Sequence, residues 1–144
     1  MLIRQAEAEW NGSFTKGSGT MSAESGAVKG VPYSVSTRFG EEKGSNPDEL
    51  LGAAHAGCFS MAFALLLENA GFSVKKIRTS AAVHVEKKGD GFEITQIDLE
   101  TIGQVEGIEE RAFLDMAQTA KKGCPVSKAL AATPITLKAR LMES

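Results

Sequence analysis

Cysteine is scarce: Cys58 and Cys124 are the only two in 144 residues. Two thiols cannot build the disulfide framework of a small secreted domain. They stand sixty-six positions apart, so they form neither a CxxC redox motif nor a local zinc knuckle. Charge of one sign is scarce too. The net charge is -2, the pI is about 5.7, and no Lys/Arg run exceeds two residues. That excludes the electrostatic footprint of a nucleic-acid or anionic-membrane binder. Internal repeats and low-complexity tracts are absent. MLIRQAEAEW lacks the basic-then-apolar layout of a secretory leader, because Glu7 and Glu9 interrupt it. The most apolar segment, Ala62 to Leu67, is too short to cross a bilayer. The expected setting is the cytoplasm, where thiols stay free, metal-bound or redox-cycling.

What is present is an ordinary globular mixture, 42% hydrophobic and 24% charged, sufficient for one domain over 1–144 with a sizeable core. The chain is organised around Asn46 to Gly71, NPDELLGAAHAGCFSMAFALLLENAG. Asn46 suits a helix N-cap and Pro47 the first helical position, where its missing N–H is no loss. Asp48 and Glu49 complement the dipole, and Gly71 is a natural stop. Leu51, Ala54, Cys58, Met61 and Leu65 recur at spacings of three and four, which predicts a buried seam carrying Cys58.

Around this helix the pattern alternates. Leu2 to Trp10 reads as a strand, Asn11-Gly12 as a hairpin turn, and Phe14 to Ala23 as the return strand. Gly17 and Gly19 suggest a bulge or a close backbone approach there. Val28 to Thr37 predicts a third strand, followed by the polar loop Arg38 to Ser45. After the helix, Val74–Lys88 and Phe92–Ile102 form a hairpin closed by Gly89-Asp90-Gly91, with a slip near Gln96. Gly107–Lys122 is a second helix with Ile108, Ala112, Phe113, Met116, Ala117 and Ala120 as its buried stripe. Pro125–Ala131 is a short third helix and Pro134–Met142 a last strand. The order βββ-α-ββ-αα-β is an α+β fold with mostly antiparallel pairing. Phe59, Phe63, Leu66 and Leu67 give the long helix a second apolar face, which predicts a homodimer that buries it from both sides.

The thiols admit several chemistries. An unperturbed cysteine has a pKa of ~8.5, and burial against Leu and Phe raises it. A reactive Cys58 therefore needs a cation; an Arg at about 4 Å contributes ~4 kcal/mol at an effective dielectric of 20. Otherwise Cys58 is a small core hydrophobe. Cys124 follows Lys121-Lys122-Gly123 and precedes a helix, so helix N–H groups and a lysine would lower its pKa; the bland reading is a weak N-cap substitute. A two-thiol peroxidase is one outcome. A zinc site from Cys58, Cys124, His55 and His84 is another, and a non-catalytic ligand-binding or stress-interaction module is a third.

NPDELLGAAHAGCFSMA and AKKGCPVSKAL resemble the two cysteine signatures of the OsmC/Ohr family, the osmotically inducible and organic hydroperoxide resistance proteins. ESG at 24–26, TRFG at 37–40 and the closing ITLKARL extend the resemblance nearly end to end. It is nearer the OsmC branch, whose arginine lies in the TRF before the central loop. The resemblance implies an intertwined homodimer with sites at the subunit interface and a peroxidase acting on organic hydroperoxides and, less efficiently, hydrogen peroxide. It implies Cys58 as peroxidatic thiol, Cys124 as resolving thiol, and Arg38 with Glu49 as the arginine–glutamate pair. No metal, flavin or haem is implied. The reductant would be a dithiol, such as a lipoylated protein. Glu49 lies nine residues before Cys58, and steps of about 100° put the two on opposite helix faces. Either the helix is irregular or the Arg38–Glu49 pair reaches Cys58 from the partner chain, and the second is the expectation preferred. Phe39, Phe59 and Met61 suggest an apolar pocket suited to alkyl peroxides.

Overall fold

The computed structural model describes residues 1–143. The chain forms two compact units, Met1–Leu50 and the remainder from Leu51. The first holds strands β1 (Ala6–Asn11), β2 (Ser18–Ala23) and β3 (Val31–Tyr33), an antiparallel sheet in that order, then the short helix α1 (Val35–Phe39). The hairpin is not the two-residue turn that Asn11-Gly12 suggested. Asn11 pairs with Ser18, so the loop runs from 12 to 17, and Gly12 takes φ +95 at its start. Gly19 is a close approach, as expected: a Cβ there would lie 2.6 Å from Glu9 O, 2.7 Å from the Tyr33 ring and 2.8 Å from the Trp10 ring. Those two rings meet edge-on at 5.4 Å.

The third strand is much shorter than Val28–Thr37. Ser34 ends it by starting α1: Thr37 N–H donates to Ser34 Oγ at 3.4 Å, and Ser34 N–H donates to Thr37 Oγ1 at 2.9 Å. This capping box offers the backbone a helical alternative that the Val35/Thr37 alternation concealed.

Helix α2 (Pro47–Asn69) begins where its caps predict, with Glu49 N–H donating to Asn46 Oδ1 at 2.8 Å. It stops at Gly71, whose φ of +93 allows Gly71 N–H to bond Glu68 O and Phe72 N–H to bond Leu67 O. The buried seam, however, is not the expected one. Gly52, His55, Phe59, Phe63 and Leu67 face inward, whereas Met61 is 77% exposed and Leu65 58% exposed. Both sets have helical spacing; phenylalanine bulk and the fit of Gly52, whose Cβ would sit 3.2 Å from Val83, decide between them. As a whole α2 is long and apolar enough to cross a membrane by length and composition, which its Ala62–Leu67 stretch alone did not suggest. Its inner face is packed in the core of the second unit.

That core lies against a second sheet of β4 (Ser73–Lys88), β5 (Gly91–Glu106) and β6 (Ile135–Leu141), ordered β4-β5-β6. The β4–β5 hairpin is antiparallel, and the slip expected near Gln96 falls between the His84–Gln96 and Val85–Ile94 pairs. β6 joins β5 in parallel, a pairing permitted by the long crossover through α3 (Glu110–Gly123) and α4 (Pro125–Ala129). Phe113 of α3 stacks on Phe63 at 5.0 Å between centroids and fills the space over Gly103. Ser60 Oγ of α2 donates to Thr79 Oγ1 of β4 at 2.8 Å, and Thr79 lies 3.0 Å from Thr101 Oγ1 of β5. These hydroxyls fix the height of the helix on the sheet.

Candidate active site

In the second unit, α2 presents Cys58 and the α3–α4 junction presents Cys124. The topology brings the two thiols together, with each acting on the ionisation of the other. Both are free thiols; Cys124 is wholly buried and Cys58 half-buried. Burial pushes the Cys58 thiol up, and its hydrogen bond to Cys124 adds to this against a backbone N–H of Val126. Burial works against Cys124 as well. The donors around it prevail: the Cys58 thiol, the backbone N–H and hydroxyl of Ser127, and the Val126 N–H together lower its pKa. None of these N–H groups makes a close capping bond to the sulfur. They favour its anion electrostatically.

The helix N–H contribution to Cys124 was expected from the sequence; the lysine contribution was not realised. Lys121 Nζ donates to Ile135 O at 3.3 Å, and Lys122 is exposed. The residue that sequence reasoning missed is Ser127, together with its partner His55. His55 Nε2 and Ser127 Oγ are 2.7 Å apart, both side chains are buried, and burial lowers the His55 pKa. Seventy-two positions separate them, so no local spacing could have paired them.

His55 was expected only as a candidate zinc ligand. The zinc set does not assemble: His84 sits on the outer face of β4, 2.7 Å from Asp98 Oδ2. Among the described residues, no group of three or more His, Cys, Asp or Glu could hold a metal ion.

In the first unit, Arg38 ends α1 with its guanidinium 5.0 Å over the Phe39 ring. Its carboxylate partner within this chain is Asp48, not Glu49. Arg38 Nε donates to Asp48 Oδ2 at 3.0 Å and Nη2 to Oδ1 at 3.2 Å, while Glu49 is exposed. The fork-to-carboxylate geometry is the one anticipated, with the acceptor one residue earlier. A signal existed: Asp48 lies four residues before Gly52 and so continues the buried seam, whereas Glu49 falls beside it. A cleft of about 390 Å³ opens next to Arg38, walled by Trp10, Phe14, Tyr33, Val35 and Phe39. Phe39 lines this cleft, but the pocket expected beside Cys58 from Phe39, Phe59 and Met61 together does not form. Phe59 is wholly buried beside Phe63, and Met61 lies on the exposed side of α2.

Two neighbouring free thiols of unequal access, on an α+β scaffold without a local metal cluster among the described residues, suit a dithiol redox protein. Residues 40–139 match the family described as OsmC-like protein. The chain is 48% identical over 140 residues to peroxiredoxin OsmC of Escherichia coli, covering 97% of each, with the same figures for peroxiredoxin OsmC of Shigella flexneri. The fold is similar to that of an OsmC-like protein from Mycoplasma pneumoniae, with a TM-score of 0.76, 15% identity and 99% of both chains covered. It is also similar to the organic hydroperoxide resistance protein OhrB of Bacillus subtilis, with a TM-score of 0.66, 19% identity and 96% and 98% covered. The chain belongs to the OsmC family, in its OsmC branch.

Proposed function

We propose that this chain is a cysteine-based peroxidase that reduces organic hydroperoxides, and hydrogen peroxide less efficiently, in defence against oxidative and osmotic stress. The observation that carries the reading is the unequal access of two neighbouring thiols. Cys58 is half-buried and open to solvent in part, whereas Cys124 is wholly buried, with donors around it that lower its pKa. Access assigns the attack on peroxide to Cys58, because a thiol sealed from solvent cannot meet its substrate. Cys124, sealed from solvent beside it, is left as the thiol of the second attack.

In the first step the Cys58 thiolate attacks one peroxide oxygen, the O–O bond breaks, and alcohol or water leaves. Arg38 supplies the cation that offsets the upward push of burial on Cys58, and its N–H groups are donors for the peroxide oxygens. Asp48 fixes the guanidinium within the chain. Glu49, exposed in the single chain, is left to a role across the subunit interface. Cys58 sulfenic acid then condenses with Cys124 to a disulfide, ahead of over-oxidation. A dithiol, such as a lipoylated protein, returns both thiols by exchange. The apolar cleft beside Arg38 supports alkyl peroxides as substrates, and the exposed apolar side of α2, with Met61 and Leu65, supports an intertwined homodimer.

Steady-state turnover with cumene hydroperoxide and a dithiol reductant tests the reading. Wild type turns over, with cumene hydroperoxide preferred to hydrogen peroxide, and Cys58→Ser does not. Equal turnover by Cys58→Ser would leave a non-catalytic or different role for the thiols. Mixed dimers of Cys58→Ser and Arg38→Met subunits test the origin of the arginine: a site completed from the partner chain retains one competent half.

A further inference from the structure

The peroxidase reading leaves a buried pair unused. His55 is wholly buried on α2, Ser127 is nearly so on α4, and their polar atoms meet at 2.7 Å. The other ring nitrogen, Nδ1, is buried and has no hydrogen-bond partner among the described residues. Burying a charged imidazole is costly, so the ring is neutral and carries one hydrogen. On Nδ1 that hydrogen would be an orphaned buried donor, the rarer and costlier arrangement. It therefore sits on Nε2 and is donated to Ser127 Oγ. The Ser127 hydroxyl hydrogen must then turn elsewhere. Ser127 is the third residue after Cys124, in the first turn of α4, and its hydroxyl is among the donors that favour the Cys124 anion.

We propose that His55 and Ser127 are positioning residues for the resolving step: the imidazole locks the serine hydroxyl so that its hydrogen is aimed at the Cys124 sulfur, and Cys124 carries the negative charge when the disulfide closes. The inference rests on the peroxidase reading and deepens it. In the step itself, Cys124 thiolate attacks the sulfur of Cys58 sulfenic acid. The S–S bond forms and the S–O bond breaks. Hydroxide leaves with the electron pair and takes up a proton as water; Cys124 is oxidised and Cys58 sulfur reduced, each by one electron equivalent. The peroxide consumed in the first step is the oxidant.

Lys121 is engaged with Ile135 O, and Lys122 and Lys128 are exposed, so the titratable neighbours are Cys58 and His55 of α2. The direction of both thiol shifts, Cys124 down and Cys58 up, agrees with the orientation.

A hydrogen bond to a charged sulfur corresponds to about one pKa unit. Its loss leaves about tenfold less Cys124 thiolate near neutrality. The remaining thiolate is about threefold more nucleophilic, so closure slows by about threefold net. The experiment uses the full-length reduced protein and one equivalent of cumene hydroperoxide, quenched at intervals with dimedone and N-ethylmaleimide and read by mass. Thiolate absorbance at 240 nm is titrated in parallel on a Cys58→Ser background. Ser127→Ala is expected to lower the ratio of disulfide closure to sulfenate formation about threefold and to move the Cys124 titration up by about one unit. His55→Leu should act in the same direction, while Ser127→Thr and His55→Gln, which keep the donors, should restore both readouts. An unmoved titration in Ser127→Ala, or a threonine variant that behaves like alanine, would overturn the inference. Absence of sulfenate and disulfide in wild type would instead overturn the peroxidase reading, and the 240 nm titration would still judge the His55–Ser127 alignment.

Discussion

Asp48, rather than Glu49, should be the carboxylate whose loss releases Arg38. The pair is bidentate at 3.0 and 3.2 Å, and the Asp48 side chain is only 10% exposed. Two charge-assisted hydrogen bonds in a desolvated setting would each contribute about 1.5–3 kcal/mol. The Arg38 side chain is 35% exposed, however, so water replaces part of what is lost. A total of about 2 kcal/mol is the reasonable expectation for Asp48→Ala. Within its own chain Glu49 is exposed and contributes through the helix dipole, about 0.5 kcal/mol. Urea unfolding at one fixed protein concentration separates the two, since a gap of about 1.5 kcal/mol moves the midpoint by about 1 M at an ordinary slope. A double-mutant cycle with Arg38→Met isolates the pair: Asp48→Ala should couple to it by about 1–2 kcal/mol. Zero coupling of Asp48 to Arg38, or a larger stability loss in Glu49→Ala than in Asp48→Ala, would refute the reasoning.

Three further outcomes follow from other parts of the molecule. Gly103→Ala places a Cβ 2.6 and 2.7 Å from the Phe113 ring, which is pinned against Phe63, so it should cost about 1–3 kcal/mol by urea unfolding; Phe113→Leu in the same chain should return part of it. Hydrogen bonds from Thr136, Gln96 and His84 lower the Asp98 pKa to about 2. A depressed carboxylate stabilises above its unfolded pKa of about 3.9 and ceases to as pH falls through the folded value, so wild type should exceed Asp98→Asn in urea midpoint at pH 7 and the gap should close between about pH 4 and pH 2. Met61→Lys charges the exposed side of α2 and should convert dimer to monomer in sedimentation velocity; an intact dimer would show that a second subunit does not cover this face.

The ends of α2 were legible because capping is local chemistry: Asn46, Pro47 and Gly71 each act within a few residues of themselves. Its buried side was not. Leu51/Ala54/Cys58/Met61/Leu65 and Gly52/His55/Phe59/Phe63/Leu67 satisfy the same period, and tertiary volume, not periodicity, chooses between them. The same ambiguity hid Asp48, which belongs to the inward set. Alternation carried β4, β5 and β6, including the irregularity beside Gln96, yet it could not reveal that β6 runs parallel to β5, since that follows from the length of the α3–α4 crossover. In the first unit, Val35 and Thr37 alternated like a strand while Ser34 and Thr37 together encoded a helix start. Meeting of the thiols across sixty-six residues, and of His55 with Ser127, depends on long-range packing that no spacing in one sequence records.

The central claim is that Cys58 and Cys124 form one redox couple. Its most direct test is the mass and thiol count of the reduced protein before and after one equivalent of cumene hydroperoxide. Two thiols should fall to none, with a loss of two hydrogens and a single peptide pair linking Cys58 to Cys124 within one chain. Two thiols still titratable after treatment, or Cys58 oxidised to sulfinic acid with Cys124 left free, would contradict it.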